Sequence, residues 1–504
     1  VYPGRYIENL RFHGKNITLA SLELLSGDRD HIHSTIIDGN QNGSVLRVNE
    51  NESIVQIRGF TITNGNGSLN NSGTRYGGGV NLGNLSGSKQ VSLINCVVTG
   101  NSANCGGGIS GSRVFLNLIG VSIHCNTATS GGGLWYSGSA YDPYNTQFDP
   151  DNRCSIYSNY AAFGSDMYFY QVDEVNVVVD TFTVANPWNF YATAIPHNPN
   201  NTNPYTFDIL NTVHTEVNHD LYVAPWGDDS NSGISPDQPM RSIFMAMYNI
   251  ASDSENPKTV HVANGHYSPS VNGQLFPVPI KSHTNLVGES REGTVLDADF
   301  LTHIHTSPPD THNWHVMNFS MINGKSGSAI SRSADYTLSN LLIDNHISNF
   351  TMGIDGTHNY GNMLFKDIKI SRLSSDDRLN GFFLSDISGT VLADNLEISQ
   401  CEAPYLMTIR ISTRDECDIL LDSIELHDNR CTLSDEFSFN SIFQISPNSQ
   451  YANRLRIDLR NSAFYNNYQS NTNQMTNIRS LNDTLFISNC TFAGNTGGGV
   501  PLCV

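Results

Sequence analysis

Val98-Thr99-Gly100-Asn101 leads to Gly106-Gly107-Gly108, and Ile123-His124-Cys125-Asn126 leads in the same way to Gly131-Gly132-Gly133. An apolar residue, Asn three places later and then a Gly triplet form one recurring unit. The apolar-to-Asn step appears again as Ile156 to Asn159, Leu426 to Asn429, Phe464 to Asn467 and Phe492 to Asn495, and further Gly triplets stand at 77–79 and 497–499. Successive anchors (Ile62, Val98, Ile123, Ile156; Met321, Ile343, Ile370, Ile398, Leu426, Phe464, Phe492) fall 22 to 38 residues apart. A period of that size is the coil of a solenoid. Segments such as 394–399 and 418–426 alternate apolar and polar residues as strands do, and no helical periodicity is sustained. Asn tolerates left-handed backbone angles and can bond to the next coil, so Asn101, Asn126, Asn159, Asn429, Asn467 and Asn495 are expected to stack as a structural ladder. Asn-Gly pairs also mark hairpins of antiparallel sandwiches, but these units are too long for hairpin spacing.

A longer echo lies above the coil. Thr35-Ile36-Ile37-Asp38 through Phe60-Thr61-Ile62-Thr63-Asn64-Gly65 recurs as Thr294-Val295-Leu296-Asp297 through Phe319-Ser320-Met321-Ile322-Asn323-Gly324, so 294 − 35 gives an offset of 259 residues. The chain therefore reads as two tandem modules. Val1-Tyr2-Pro3-Gly4-Arg5-Tyr6 matches Val262-Ala263-Asn264-Gly265-His266-Tyr267, a point inside the second module, so the first is expected to be N-terminally incomplete and the native polypeptide longer. The expected organisation is a first module over 1–185, a Pro-, Asn- and Thr-rich linker or irregular cap over 186–219, and a second module over 220–504. Its opening segment, 221–251, contains an amphipathic stretch at 244–251 suited to capping the end of a sheet stack.

The chain has 504 residues, of which 15% are charged, and a formal net charge of −20. A solenoid grows by adding coils, so this length needs no division into several conventional cores. The acidic balance excludes nucleic acid as an expected partner. No apolar run reaches the roughly 20 residues of a membrane-spanning helix, so no membrane insertion is expected of this segment. The nine Cys form no close-spaced zinc pattern. Cys96, Cys154 and Cys490 stand two residues before their anchors, which favours stacked, inward thiols over disulfides such as Cys105 with Cys125.

Tyr222-Val223-Ala224-Pro225, Gly227 to Gly233, Gln238-Pro239-Met240-Arg241-Ser242-Ile243, Val260 to Tyr267 and Leu286-Val287-Gly288 together resemble the opening of secreted bacterial right-handed parallel β-helix proteins of the pectate-lyase-like superfamily. The Phe-x-x-Asn and Gly-Gly-Gly units are similar to the repeats of polymorphic outer-membrane proteins. These resemblances imply an all-β, right-handed parallel β-helix solenoid at the cell surface or beyond; neither implies a reaction.

Lyase members of that superfamily use calcium-binding carboxylates beside a Lys or Arg base. The nearest counterparts are Lys366 with Asp376 and Asp377, and these read equally well as a charged turn. No cofactor is expected from the residues, and calcium is the ion the resemblance would bring. His303, His305, His312 and His315 form the most metal-like group, since 303 and 305 share one face of a strand, with surface histidines as the plainer reading. Trp135, Tyr136, Tyr141 and Tyr144 are candidates for stacking on glycan or on a partner, against packing in the core. The leading functional reading is a non-catalytic extracellular or cell-surface structural or adhesive protein, part of a fibre or surface layer, making self-assembly, surface or polysaccharide contacts. Its rival is a carbohydrate-active enzyme, lyase or glycosidase, or a glycan-binding module.

Overall fold

The computed structural model describes residues 1–48, 50, 52–83, 89–138, 146–187, 190–197, 205–306, 311–331, 333–346, 352–357, 359–374, 381–402, 405–411, 416–431, 441–447, 455–469, 476–478 and 484–497. The chain is an all-β parallel β-helix. Among the described strands every pairing is parallel except the short hairpin of Ser68–Leu69 with Arg75–Tyr76. It divides into two compact units, one built on Val1–Thr215 and the other on Glu216–Thr306 with Asp310–Val504. No helix among the described residues is long and apolar enough to cross a membrane.

One coil of the first unit runs Ile109–Ser112, Phe115–Ile119, Ser122–His124 and Thr127–Ser130. Ile109–Ser112, for example, pairs with Val80–Leu82 of the coil before it and Leu134–Ser137 of the coil after it. Parallel neighbours need a long crossover, and the remaining faces of the coil supply it without a helix. Anchors meet in register: Ile37, Ile62, Val98, Ile123, Ile156 and Phe182 form one buried stack. In the second unit Leu296, Met321, Ile343, Ile370, Ile398, Leu426, Phe464 and Phe492 form another. Each fully buried side chain of this kind stabilises by about 1.5–3 kcal/mol, so the interior columns are the main source of stability.

The Asn residues stack beside those columns. Asn101 donates its amide to Asn126 Oδ1 and Asn126 to Asn159 Oδ1, both at 3.0 Å. Asn429 donates to Asn467 at 3.1 Å and Asn467 to Asn495 at 3.0 Å. Each also donates to an anchor carbonyl of the preceding coil, as Asn126 does to Val98 O at 2.9 Å. One part of the expectation needs correcting. The left-handed backbone belongs not to the ladder Asn but to the residue before it: Gly100, Cys125, Ser158, Asp428, Asn466 and Gly494 all have positive φ. The chain turns there, which frees the next side chain to point inward. The Gly triplets have their own cause. Gly106 has φ +68°, and a Cβ on Gly107 would stand 2.5 Å from the Thr127 carbonyl oxygen. The triplet thus combines a left-handed turn with backbone-to-backbone packing between coils.

Within 186–219, expected as a linker or irregular cap, two described stretches are paired strands. Ala192–Ile195 pairs with Met167–Tyr170 and Tyr205–Thr212 pairs with Val175–Phe182, so these two strands extend the sheets of the first unit. Val175, Val177 and Val179, on the strand that pairs with Tyr205–Thr212, are buried. At the start of the second unit a helix spans Ile243–Asn249, with the Ser242 side chain accepting from Met245 N at 3.2 Å. It is buried at Ile243, Phe244, Ala246, Met247 and Tyr248. Lys281, itself buried, donates to Tyr248 O and Ile250 O at 2.9 and 2.8 Å and to Glu216 at 2.7 Å, satisfying carbonyls at the helix end. The eight described cysteines are free, with Cys105 partly exposed and Cys125 exposed; Cys96 and Cys154 are packed in the interior.

Candidate functional site

The outward face of one sheet in the first unit carries the most distinctive surface. Its strands place Arg11, Arg47, Asn81, Ser110, Trp135, Tyr168 and Thr193 in one row, in register from coil to coil. Inward neighbours such as Leu46, Val80, Ile109 and Leu134 are buried, so alternation turns the row outward. Asn81 and Ser110 are nevertheless 8% and 2% exposed, because they form the floor of a groove. Its wall is the hairpin around Ser68–Leu69 and Arg75–Tyr76. Ser44 Oγ meets Ser68 Oγ at 2.8 Å, Arg75 N donates to Asn104 Oδ1 at 2.8 Å, and Arg75 Nη1 donates to Gly67 O at 3.0 Å. Tyr76 meets Trp135 edge to face, 5.4 Å between centroids.

The groove has a volume of about 650 Å³ at the Trp135 end and about 370 Å³ at the Arg11 and Arg75 end, with Arg47 lining both. Arg47 Nε is shielded from solvent and has no hydrogen-bond partner. Among the described lining residues there is no Asp or Glu, although the chain carries −20. Three guanidinium groups, a row of Asn and Ser, and a Trp–Tyr pair therefore line two adjoining recesses that share Arg47, Ser68 and Leu69.

The sequence-derived candidates divide sharply. Trp135 lines the groove, whereas Tyr136 is fully buried and donates its hydroxyl to Val114 O at 2.6 Å; it belongs to the core because it is the inward residue of the same strand. Tyr141 and Tyr144 lie outside the described residues, as do Asp376 and Asp377. Lys366 is an exposed residue between Ser339 and Asp394 in the register of the long sheet. Its neighbour Lys369 bonds Glu397 at 2.7 Å, and Glu397 also meets His427 Nε2 at 3.2 Å. His427 Nδ1 is held by Asp428 at 2.8 Å. Burial raises the Glu397 carboxyl, but hydrogen bonds from Lys369, Ser399 and His427 outweigh it and leave the group below the usual carboxylate range. With both ring nitrogens of His427 occupied by carboxylates, this cluster is a charge network on a flat sheet.

The four histidines do not converge. His303 and His305 are buried, while His312 and His315 lie on another strand, facing Tyr360 and solvent respectively. His303 instead packs against His346, 5.1 Å between centroids, and both rings crowd Gly324, where any side chain would collide. Ile343 is the anchor of that coil, so His346 occupies the column position that Asn fills elsewhere. Among the described residues no group of three or more His, Cys, Asp or Glu side chains is placed to hold a metal ion. The groove row itself went unread in the sequence. Its signal was the residue before or after each inward anchor of a second strand, and Arg47, Asn81, Ser110 and Trp135 share no residue type.

Residues 226–391 match a family described as "Protein of unknown function (DUF1565)". No curated protein matches the chain. Among solved structures, pectate lyase Pel9A is similar at 14% identity, covering 58% of this chain and 82% of its own, with a TM-score of 0.34. A pectin methylesterase variant in complex with a hexasaccharide is similar at 11% identity, covering 50% and 80%, with a TM-score of 0.27.

Proposed function

We propose that this is a non-catalytic extracellular or cell-surface β-helix protein whose first unit binds an acidic glycan strand along the Arg47–Trp135 groove. The observation that carries the reading is the charge inversion: guanidinium groups and no described carboxylate line these recesses in a chain of net −20. Arg forks match carboxylate and sulfate oxygens, Asn and Ser match sugar hydroxyls, and Trp135 offers a face for a pyranose ring. The described lining offers no paired carboxylates for glycoside hydrolysis, which favours binding over turnover. A repetitive coil presenting side chains at regular spacing suits adhesion or a surface layer.

The test is affinity electrophoresis and calorimetry of the whole chain against polygalacturonate, heparin, and neutral dextran and xylan. Retention by an acidic polymer, lost in Trp135→Ala and Arg47→Ala variants that melt like the parent, supports the reading. Equal retention by neutral polymers, or release of reducing ends or unsaturated products from any of them, overturns it.

A further inference from the structure

A second recess lies at the opening of the other unit and has a different character. Tyr222 and His261 stand side by side on the outward faces of adjacent parallel strands, their rings stacked 5.0 Å apart at 19°. Asp220 fixes His261 through its Nε2 at 3.2 Å and accepts from Thr259 N at 2.8 Å. This aromatic platform continues into Val287, and Pro236, Pro239 and Trp226 rise around it to enclose about 450 Å³.

Trp226 is 72% exposed, yet its loop is firmly held. Gly227 N donates to Ala224 O at 2.9 Å, Asp228 N to Pro239 O at 3.1 Å and Asn231 Nδ2 to the same carbonyl at 2.9 Å. A Cβ on Gly227 would stand 2.3 Å from the Met240 carbonyl oxygen, so the loop backbone lies flat against its neighbour. An indole presented to water from an anchored loop, opposite a stacked ring pair, is a preformed wall for a ligand.

The polar groups narrow the ligand class. Asn318 is engaged on both sides, donating to Gly288 O and accepting from Asn340, each at 3.0 Å. His261 is held by Asp220. That leaves Glu289, one of whose oxygens accepts from Asn264 N at 2.8 Å, as the charged group of the lining, and the described lining contains no Lys or Arg. A sugar ring would find few partners for its hydroxyls here. A cation with an apolar surface would find an indole face, a Tyr ring and a carboxylate.

We propose that this cleft binds a small organic ammonium group, of the trimethylammonium or alkylammonium type, between Trp226 and the Tyr222–His261 platform with Glu289 as counter-charge. The test titrates the full chain with choline chloride, and in parallel with the neutral isostere 3,3-dimethylbutanol and with glucose, by calorimetry and Trp fluorescence. Choline binding about tenfold tighter than its isostere, and weakened by about the same factor in both Trp226→Ala and Glu289→Gln, supports the assignment. A parallel arm with phosphatidylcholine vesicles separates sources: capture of vesicles as well as choline indicates a lipid headgroup, and choline alone a free amine. Equal binding of choline and its isostere, tighter binding of glucose, or choline binding unchanged in the two variants overturns it. Glu289→Gln keeps the test decisive should Trp226→Ala lower the melting temperature.

Discussion

Asp166 closes the amide ladder of the first unit: its Oδ1 accepts from both the backbone N–H and the side-chain amide of Asn159, at 3.2 and 3.0 Å. The next anchor is Phe182, paired with Ile156, and the residue three places beyond it is Ala185, which has no amide to offer. A carboxyl group reached from within the same coil takes that place, wholly buried.

Burial pushes the Asp166 carboxyl from 3.8 up to about 7, against the lowering effect of hydrogen bonds from Thr183 and Asn159. Between those values the folded chain binds the extra proton. Its stabilising contribution is therefore complete below about pH 4 and is lost as pH rises towards 7. Asp166→Asn should remove that loss, raising first-unit stability at neutral pH by on the order of 4 kcal/mol at most. Thermal melts from pH 4 to 8 would check this, and parallel curves for variant and parent would refute it.

The second unit should respond with the opposite sign. Burial, then the neighbouring His303 ring, lowers His346 from 6.5 to about 3. A depressed histidine contributes stability that is present above about pH 6.5 and is lost as pH falls towards 3. His346→Leu should flatten that acid-side loss, since Leu373 fills the same column position one coil later. Hydrogen exchange of the second unit at pH 4 and 7 provides the measurement.

Asn126→Ala would leave Val98 O and the backbone N–H of Asn101 without their partners in the interior. At about 1 kcal/mol for each bond, and more for a buried group left unpaired, a total loss of roughly 3 kcal/mol is expected. Chemical denaturation showing less than about 1 kcal/mol would mean that water enters the ladder.

Ile123 and Ile398 are fully buried anchors. Ile123→Asp or Ile398→Asp should destabilise by several kcal/mol, as an unpaired charge is forced into an apolar column. Wild-type denaturation midpoints in either variant would contradict the register.

If three guanidinium groups carry groove affinity, binding of an acidic polymer should weaken steeply as ionic strength rises from about 0.01 M, where screening extends about 30 Å, to 1 M, where it extends about 3 Å. Arg47→Ala should flatten the slope as well as lower affinity. An unchanged slope would assign the interaction to Trp135 and the hydroxyl contacts.

The coil was readable because each turn repeats a physical requirement. An apolar anchor must face inward, a left-handed residue must turn the corner, and an amide must satisfy carbonyls that no strand partner reaches. Those demands recur at Val98, Ile123 and Ile156 and leave Asn101, Asn126 and Asn159 in plain view. Within 186–219, Pro and Asn suggest turns without revealing the strands Ala192–Ile195 and Tyr205–Thr212. Tyr136 misled because aromatic content does not say which side of a strand a ring occupies. The groove stayed hidden because its members lie on separate coils, and only the pairing of Arg47 with Asn81, Ser110 and Trp135 makes them neighbours.

Within each ladder an amide hydrogen passes to the following coil, from Asn101 through Asn126 to Asn159 and from Asn429 through Asn467 to Asn495. Each of these Asn-bearing coils thus ends with the same socket it began with. Splicing in or cutting out one full coil, such as residues 101–125, would rejoin an identical plug to an identical socket. The ruler that sets the length of such a protein can therefore gain or lose a mark without redrawing the rest.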